Sequence, residues 1–397
     1  MLNANFAILT TTINIPIFLD NICKNIKKYK HKNIFFLVIA DKKTPSYAKN
    51  YCKKISKKFK LKIIYLDIAE QDKYFKKNYK KIYSLFPYND AHRRLLGLIF
   101  IKKYNPKRVI FIDDDNFVSS DIDFLKGHEI VSKKVSGKAV YNKNKWPNIY
   151  KYLKTQKNIP IYPRGFPWSK RNNESFNLKY KKINKKFVLA NCGFILGDPD
   201  IDAISRLFWK IRVNKILSKK SHLILKGMFF PFNDQNTCID GETSLLYYKP
   251  ISAGRNSDIW TSYLYNKISA IHDGIISYGM PHLTQIRNVH DYWKDFELEK
   301  KHNISTDYFA KLIMEVNCKK GISYYETLRK LINNLIVKTN KRLKYINVSF
   351  KEKNRHYQGI GKKELLKREI NSLKYIRRYF VEYQLWLKYL KNYKLIK

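Results

Sequence analysis

The sequence predicts an α/β protein built on a doubly wound, mostly parallel sheet, and three observations carry that reading. Short apolar runs alternate with amphipathic, Lys-rich stretches over residues 6–112, the pattern of β-α-β units. One run, Val109-Ile110-Phe111-Ile112, stops abruptly at Asp113-Asp114-Asp115-Asn116. Polar residues also close the other runs, at the strand ends where such sheets hold their ligands.

Residues 6–9 read as the first strand, ending in Thr10-Thr11-Thr12. Residues 20–29 read as a helix with Leu19, Ile22, Cys23 and Ile26 on one face. A buried strand follows at 34–40 and ends at Asp41, then a helix at 45–59 and a strand at 62–66. Residues 90–104 form a helix with Leu95, Leu98, Ile99 and Ile101 inward, and 108–112 the strand before the acidic cluster. Residues 126–186, rich in Pro, Asn, Trp and Tyr, read as irregular structure with short strands. A strand at 187–196 and a helix at 200–217 come next. Near the end, Ile370, Leu373, Ile376, Phe380, Tyr383, Leu387 and Leu390 recur at steps of three and four, an apolar helical stripe. The expected division is therefore 1–305 for the α/β domain and 306–397 for a helical, Lys/Arg-rich C-terminal extension.

Composition narrows the class. The chain has 397 residues, 44% of them hydrophobic and 15% aromatic, enough for a sizeable core. Its 79 Lys+Arg against 32 Asp+Glu give a formal charge of +47, a field that attracts nucleic acid, anionic membranes or phosphate-bearing molecules. Lys, Asn, Ile and Tyr are all abundant, as AT-rich coding would produce, so the charge names no ligand. No zinc-finger or helix-turn-helix pattern supports nucleic acid as the partner. The five cysteines are scattered without paired spacing and read as reduced thiols. The first residues read as a strand and not a signal peptide. With no apolar run long enough to span a bilayer, the expected location is cytoplasmic, on occasion at the inner face of a membrane.

The acidic cluster carries the chemistry. A strand that stops at several carboxylates offers hard oxygen ligands on a rigid support, which suits Mg2+ or Mn2+ shared with substrate phosphates. Strand alternation puts Asp113 and Asp115 on one face and Asp114 on the other. Such a cation bridges the two phosphates of a nucleotide diphosphate; the alternative is a solvated acidic turn.

Several further segments carry a resemblance. In order they are Thr11-Thr12-Ile13-Asn14-Ile15-Pro16, Val38-Ile39-Ala40-Asp41, Asn89-Asp90-Ala91-His92-Arg93-Arg94-Leu95, Ile112 to Asn116 and Tyr162-Pro163-Arg164-Gly165-Phe166-Pro167. Gly197-Asp198-Pro199-Asp200-Ile201-Asp202-Ala203, Arg255-Asn256-Ser257-Asp258-Ile259-Trp260 and Gln285-Ile286-Arg287-Asn288 complete the set. Over residues 6–300 the chain resembles the STELLO-type glycosyltransferase-like family and, more distantly, the reversibly glycosylated polypeptides, which are UDP-arabinopyranose mutases. The resemblance implies a GT-A-like nucleotide-sugar domain with the acidic cluster as its metal motif. It also implies a nucleotide-sugar donor, UDP-linked, and a glycan or glycolipid acceptor.

Each residue singled out has a functional and a structural reading. Thr11, Thr12 and Asn14 suit the nucleotide base or ribose, or else a helix cap. Asp41 suits the same ligand or a turn, and the resemblance favours the ligand; Asp114 joins the donor-binding set. Of the adjacent pair Arg93 and Arg94, Arg93 is expected on the diphosphate, because guanidinium forks match phosphate oxygens. Arg164 occupies the place of the arginine that accepts sugar in the resembling mutases, and equally suits a structural role. Asp198, Asp200 and Asp202 read as helix-capping carboxylates. Asp258 is the candidate acceptor-side carboxylate that takes or orients the acceptor proton. Trp260 either stacks on a sugar face or fills the core. Asn233, Asp234 and Gln235, within 231–241, form a sugar-binding loop or a plain polar one. His290 either completes the metal shell with Asp113 and Asp115 or is structural. The basic C-terminal helices suit an anionic membrane surface, or are simply packed with solvated lysines.

Overall fold

The computed structural model describes the backbone of residues 4–287, 291–353 and 360–396, and side chains over the same residues except 347–362. The first part follows the predicted order: β1 (Phe6–Thr12), α1 (Phe18–Lys28), β2 (Ile34–Ala40), α2 (Ala48–Phe59) and β3 (Lys62–Leu66). Two short helices, α3 (Ile68–Gln71) and α4 (Lys80–Tyr83), lead to α5 (Arg94–Ile101) and β4 (Arg108–Ile112). β1 pairs in parallel with both β2 and β4, and β2 with β3. Every residue of β2 and β4 is buried. That is why these strands are unbroken apolar runs without alternation, as expected where both sheet faces are covered.

The chain continues through β5 (Asn116–Val118), α6 (Phe124–His128), β6 (Lys134–Tyr141), β7 (Leu153–Thr155) and the long β8 (Lys179–Gly197). Next come α7 (Ala203–Phe208), β9 (Val213–Ile216), β10 (His222–Ile224), β11 (Asn236–Asp240), α8 (Ser257–Ile271) and β12 (Ile275–Gln285). Three long helices close it: α9 (Tyr292–Glu315), α10 (Tyr324–Lys353) and α11 (Ile360–Asn392). The main path through the sheet runs β3-β2-β1-β4-β11-β8-β6-β10-β12-β5, and β8 also pairs with β12. The fold is thus mixed α/β, a large sheet flanked by helices, and not a mostly parallel one. β11 enters antiparallel between β4 and β8, while β12 runs parallel to β8. These directions bring the carboxyl ends of β1, β2, β4, β8 and β12, together with the start of β11, to a single edge.

Two expected elements differ. The helix over 200–217 is only α7; after Trp209 the backbone is extended, and Val213–Ile216 pairs with β7 instead. Strand pairing outweighs the helical spacing there. The polar loop over 231–241 contains β11, all five residues of which are buried. Residue 305, the expected domain boundary, lies inside α9.

The C-terminal helices are part of the main core. Trp260 of α8 stacks on Phe309 of α9 with ring centroids 4.3 Å apart, and Tyr379 of α11 meets it edge-on at 5.3 Å. Trp386 of α11 stacks on Tyr248 at 4.8 Å and donates its indole N–H to the Leu245 carbonyl at 2.9 Å. No described helix is long and apolar enough to cross a membrane. Because Trp386 is fully buried, Trp386→Ala is expected to cost about 3–5 kcal/mol of unfolding free energy, measured by denaturant titration. A loss below about 1 kcal/mol would mean that α11 does not share the core.

Candidate functional site

At the sheet edge just described lies an open cavity of about 530 Å³. Its wall combines the carboxylates Asp90, Asp113, Asp115, Asp200, Asp234 and Asp258 with the cations Arg94, Arg164, Lys249, Arg255 and Arg287. The acidic cluster reaches it because β4 ends at Ile112 and the chain turns through 113–115 into β5. Asp113 and Asp115 line the cavity. Asp114 turns away, accepting hydrogen bonds from Thr12 Oγ1 at 2.5 Å and Asn14 Nδ2 at 3.3 Å.

Arg94 is the organising cation. Buried at the start of α5, it is paired with Asp113 and lies 3.2 Å from Asp234. Burial alone would weaken its charge, but Asp113 and Asp234 hold its pKa above the ordinary value. Lys249 meets the same Asp234 at 2.6 Å. Burial would raise Asp234, yet Lys249 and Arg94 keep it below the usual carboxylate range. Asp115 is in a different state. Burial and then Asp113 push it up to about 6, against a hydrogen bond from Gln285 Nε2 at 3.1 Å. Asp115 Oδ1 and Gln285 Oε1 are both buried without a hydrogen-bond partner.

A second knot closes the cavity. Arg164 Nε and Nη2 grip Asp200 at 2.8 and 3.1 Å, and Nη2 lies 3.3 Å from Asp258. Its Nη1 donates to Asn256 Oδ1 at 2.8 Å and to the Arg255 carbonyl. Gly165 makes this approach possible: its φ is +71°, and a Cβ there would meet Ile259 Cγ2 of α8 at 2.2 Å. Asp258, in the first turn of α8, is pushed by burial up to about 6 despite Arg164. Arg287, just beyond β12, lies 3.2 Å from Asp198, but its Nε and Nη1 have no hydrogen-bond partner. Burial and the neighbouring Arg206 lower its pKa. A guanidinium in that condition is suited to an anionic ligand.

The cavity does not gather every expected residue. Arg93 is fully buried, donating to Tyr83 Oη at 3.1 Å, to the Phe86 carbonyl at 3.2 Å and to Gln71, with Asp41 at 3.7 Å. Arg93 and Asp41 therefore clamp the core, and Arg94 takes the cavity place expected of Arg93. Thr11 donates to the Ile39 carbonyl at 3.1 Å, and Thr12 binds Asp114, so both tie the end of β1 to its neighbours. Asn14 is exposed beside Asp114. Trp260 is a core aromatic, with no face left for a sugar. Asn233 spends its amide on Asp200 at 2.6 Å, whereas Asp234 and Gln235 line the cavity. Arg164 lines it as well, with all three guanidinium nitrogens already engaged. Among Asp198, Asp200 and Asp202, only Asp202 caps a helix, accepting from Ser205 N at 2.9 Å. His290 lies outside the described residues. Sequence reasoning assigned no role to Asp90, His92, Lys249, Arg255, Ser257, Gln285 or Arg287. Apart from Lys249, all of them sit inside the segments that carry the resemblance.

Among the described residues no group of three or more His, Cys, Asp or Glu is arranged to hold a metal ion. Residues 255–348 match the family model described as STELLO glycosyltransferases, in agreement with the sequence resemblance. The match spans α8, β12, α9 and most of α10, and includes Asp258, Gln285 and Arg287. It points to a glycosyltransferase. No curated protein matches the chain.

The raised Asp115 carboxyl has a consequence for stability. Its native pKa of about 6 exceeds the ordinary 3.8, so the stability it contributes is full below the ordinary value and is lost as pH rises through about 6. Asp115→Asn, which cannot ionise, should be more stable than the wild type at pH 7.5 by about 2 kcal/mol, with the gap closing towards pH 4. Chemical unfolding at the two pH values measures it; a gap independent of pH contradicts the raised carboxyl.

Proposed function

With that family match as premise, we propose that the protein transfers a sugar from a nucleotide diphosphate donor, UDP-linked, to a glycan or glycolipid, on a GT-A-like domain. The observation that carries this reading is the meeting of two unmatched groups of opposite character in one cavity. Asp115 Oδ1 and Gln285 Oε1 are buried acceptors without donors, and Arg287 is a half-buried cation with donors to spare. The first pair suits a hard cation and the second a diphosphate.

The donor set fits Mg2+ or Mn2+, which bind through one or two carboxylates and take their remaining ligands from water and substrate phosphates. Asp113 and Asp115 would hold the ion with help from Gln285, and a bound ion would neutralise charge on the departing diphosphate. Arg94 pairs with Asp113 at the cavity wall and fixes the position of its carboxylate. Arg287, whose Nε and Nη1 lack partners, would supply N–H donors for phosphate oxygens. Asp258 faces the acceptor, orienting its hydroxyl or taking its proton. The Lys/Arg-rich faces of α10 and α11 suit an anionic membrane surface that presents a glycolipid.

A panel of nucleotide-sugars assayed for Mn2+-dependent hydrolysis and for a rise in melting temperature tests cation, nucleotide and donor together. Asp115→Ala should lower turnover at least about 100-fold while the fold persists, and Arg287→Ala should raise the donor KM about tenfold. Wild-type turnover by Asp115→Ala would sink the assignment.

A further inference from the structure

We propose that Asp90, His92 and Ser257 form a proton relay that opens into the cavity and activates the Ser257 hydroxyl. The sequence places the first two in the turn before α5 and the third at the first residue of α8, and the fold joins them. Asp90 accepts the backbone N–H of His92 at 2.8 Å, and its Oδ1 lies 2.5 Å from His92 Nδ1. His92 Nε2 lies 2.9 Å from Ser257 Oγ. All three residues line the same cavity as Asp113 and Asp115.

The order of the groups fixes the protons. Asp90 is an acceptor, so the imidazole hydrogen sits on Nδ1 and Nε2 is left as an acceptor. Ser257 then donates its O–H to Nε2, and its oxygen lone pairs remain for a ligand. A carboxylate behind an imidazole behind a serine hydroxyl is the arrangement that makes serine a proton carrier and a nucleophile on unrelated folds. A simple bolt between the start of α5 and the start of α8 would need only the His92–Ser257 bond. The carboxylate behind the ring and the opening to the cavity are what it would not need. Asp258, next in sequence, already accepts from Arg164 and from the Ile259 N–H at 2.9 Å, which suits it to orienting an acceptor.

In the transfer reaction, on which this use of the relay rests, the acceptor O–H gives its proton to Ser257 Oγ as Ser257 passes its own to His92 Nε2. The acceptor oxygen bonds to the anomeric carbon. The bond from that carbon to the diphosphate oxygen breaks, and its electron pair leaves with the diphosphate. Asp90 stabilises the imidazolium until the proton returns to solvent. Ser257 touches the acceptor; His92 and Asp90 act through it.

Two measurements on the full chain separate the relay from the transferase reading. The first needs no donor: reaction with a fluorophosphonate probe, in which Ser257 Oγ attacks phosphorus, fluoride leaves and His92 takes the proton. We expect an adduct on Ser257 by mass spectrometry, forming at least about tenfold more slowly in His92→Gln and in Asp90→Asn, and absent in Ser257→Ala. Labelling of the wild type no faster than of His92→Gln overturns the relay whether or not any nucleotide-sugar is turned over. The second applies once a donor is found. Ser257→Ala, which removes a single hydroxyl, should lower kcat about 100-fold with the donor KM within about twofold. An unchanged kcat overturns the relay even if donor turnover upholds the transferase. Absence of turnover with every donor sinks the transferase and leaves the probe reaction to decide the relay.

Discussion

The site depends on one pairing, the insertion of β11 between β4 and β8. Its five buried residues run antiparallel to both neighbours, which turns β8 into the same direction as β4. Without that strand the acidic turn after β4 would face one part of the sheet and the Asp198–Asp202 segment another. With it, the carboxylates after β4, the segment after β8, the Gln285-Ile286-Arg287 end of β12 and the Asn233–Gln235 approach to β11 share one rim. Chain direction, more than any single bond, assembles the cavity.

On that rim the charges are matched in a way the whole chain is not. A formal charge of +47 spreads over the protein, yet the cavity sets six carboxylates against five cations. Buried ions persist only when paired, and the Arg94–Asp113–Asp234–Lys249 and Asp200–Arg164–Asp258 groups are paired in that way, although Arg94 Nε has no hydrogen-bond partner and Asp258 is still held up to about 6. Two groups stand out at the rim: Asp115, held up to about 6 with its Oδ1 unpartnered, and Arg287, whose Nε and Nη1 lack hydrogen-bond acceptors.

Much of the first half was legible because buried parallel strands announce themselves as apolar runs. The strands at 34–40, 62–66 and 108–112 have the bounds the sequence predicted. The acidic turn was visible because three consecutive aspartates cannot continue a buried strand. The choice between Arg93 and Arg94 was not, because neighbouring residues at a helix start point about 100° apart and only packing decides which one faces the core. Arg93 instead meets Tyr83, Gln71 and Asp41, contacts that its local sequence does not announce. β11 was hidden by its polar composition: Asn236, Thr237 and Asp240 read as a loop, yet all are buried in the sheet. Gln285, Arg287 and Ser257 lay in segments already marked as family-like, but their contacts are with partners 89 to 170 residues away.

α8 joins the front of the molecule to its back. Its first turn carries Ser257 and Asp258 into the cavity, and Trp260, within one turn of them, is wedged among Phe309, Tyr375 and Tyr379. A helix is stiff over so short a span, so rings contributed by α9 and α11 set where the hydroxyl and the carboxylate stand. The alignment of these two groups at the cavity is therefore fixed by the hind part of the chain. Residues far from the cavity can shift that alignment, as the seating of a hinge decides where a door meets its frame.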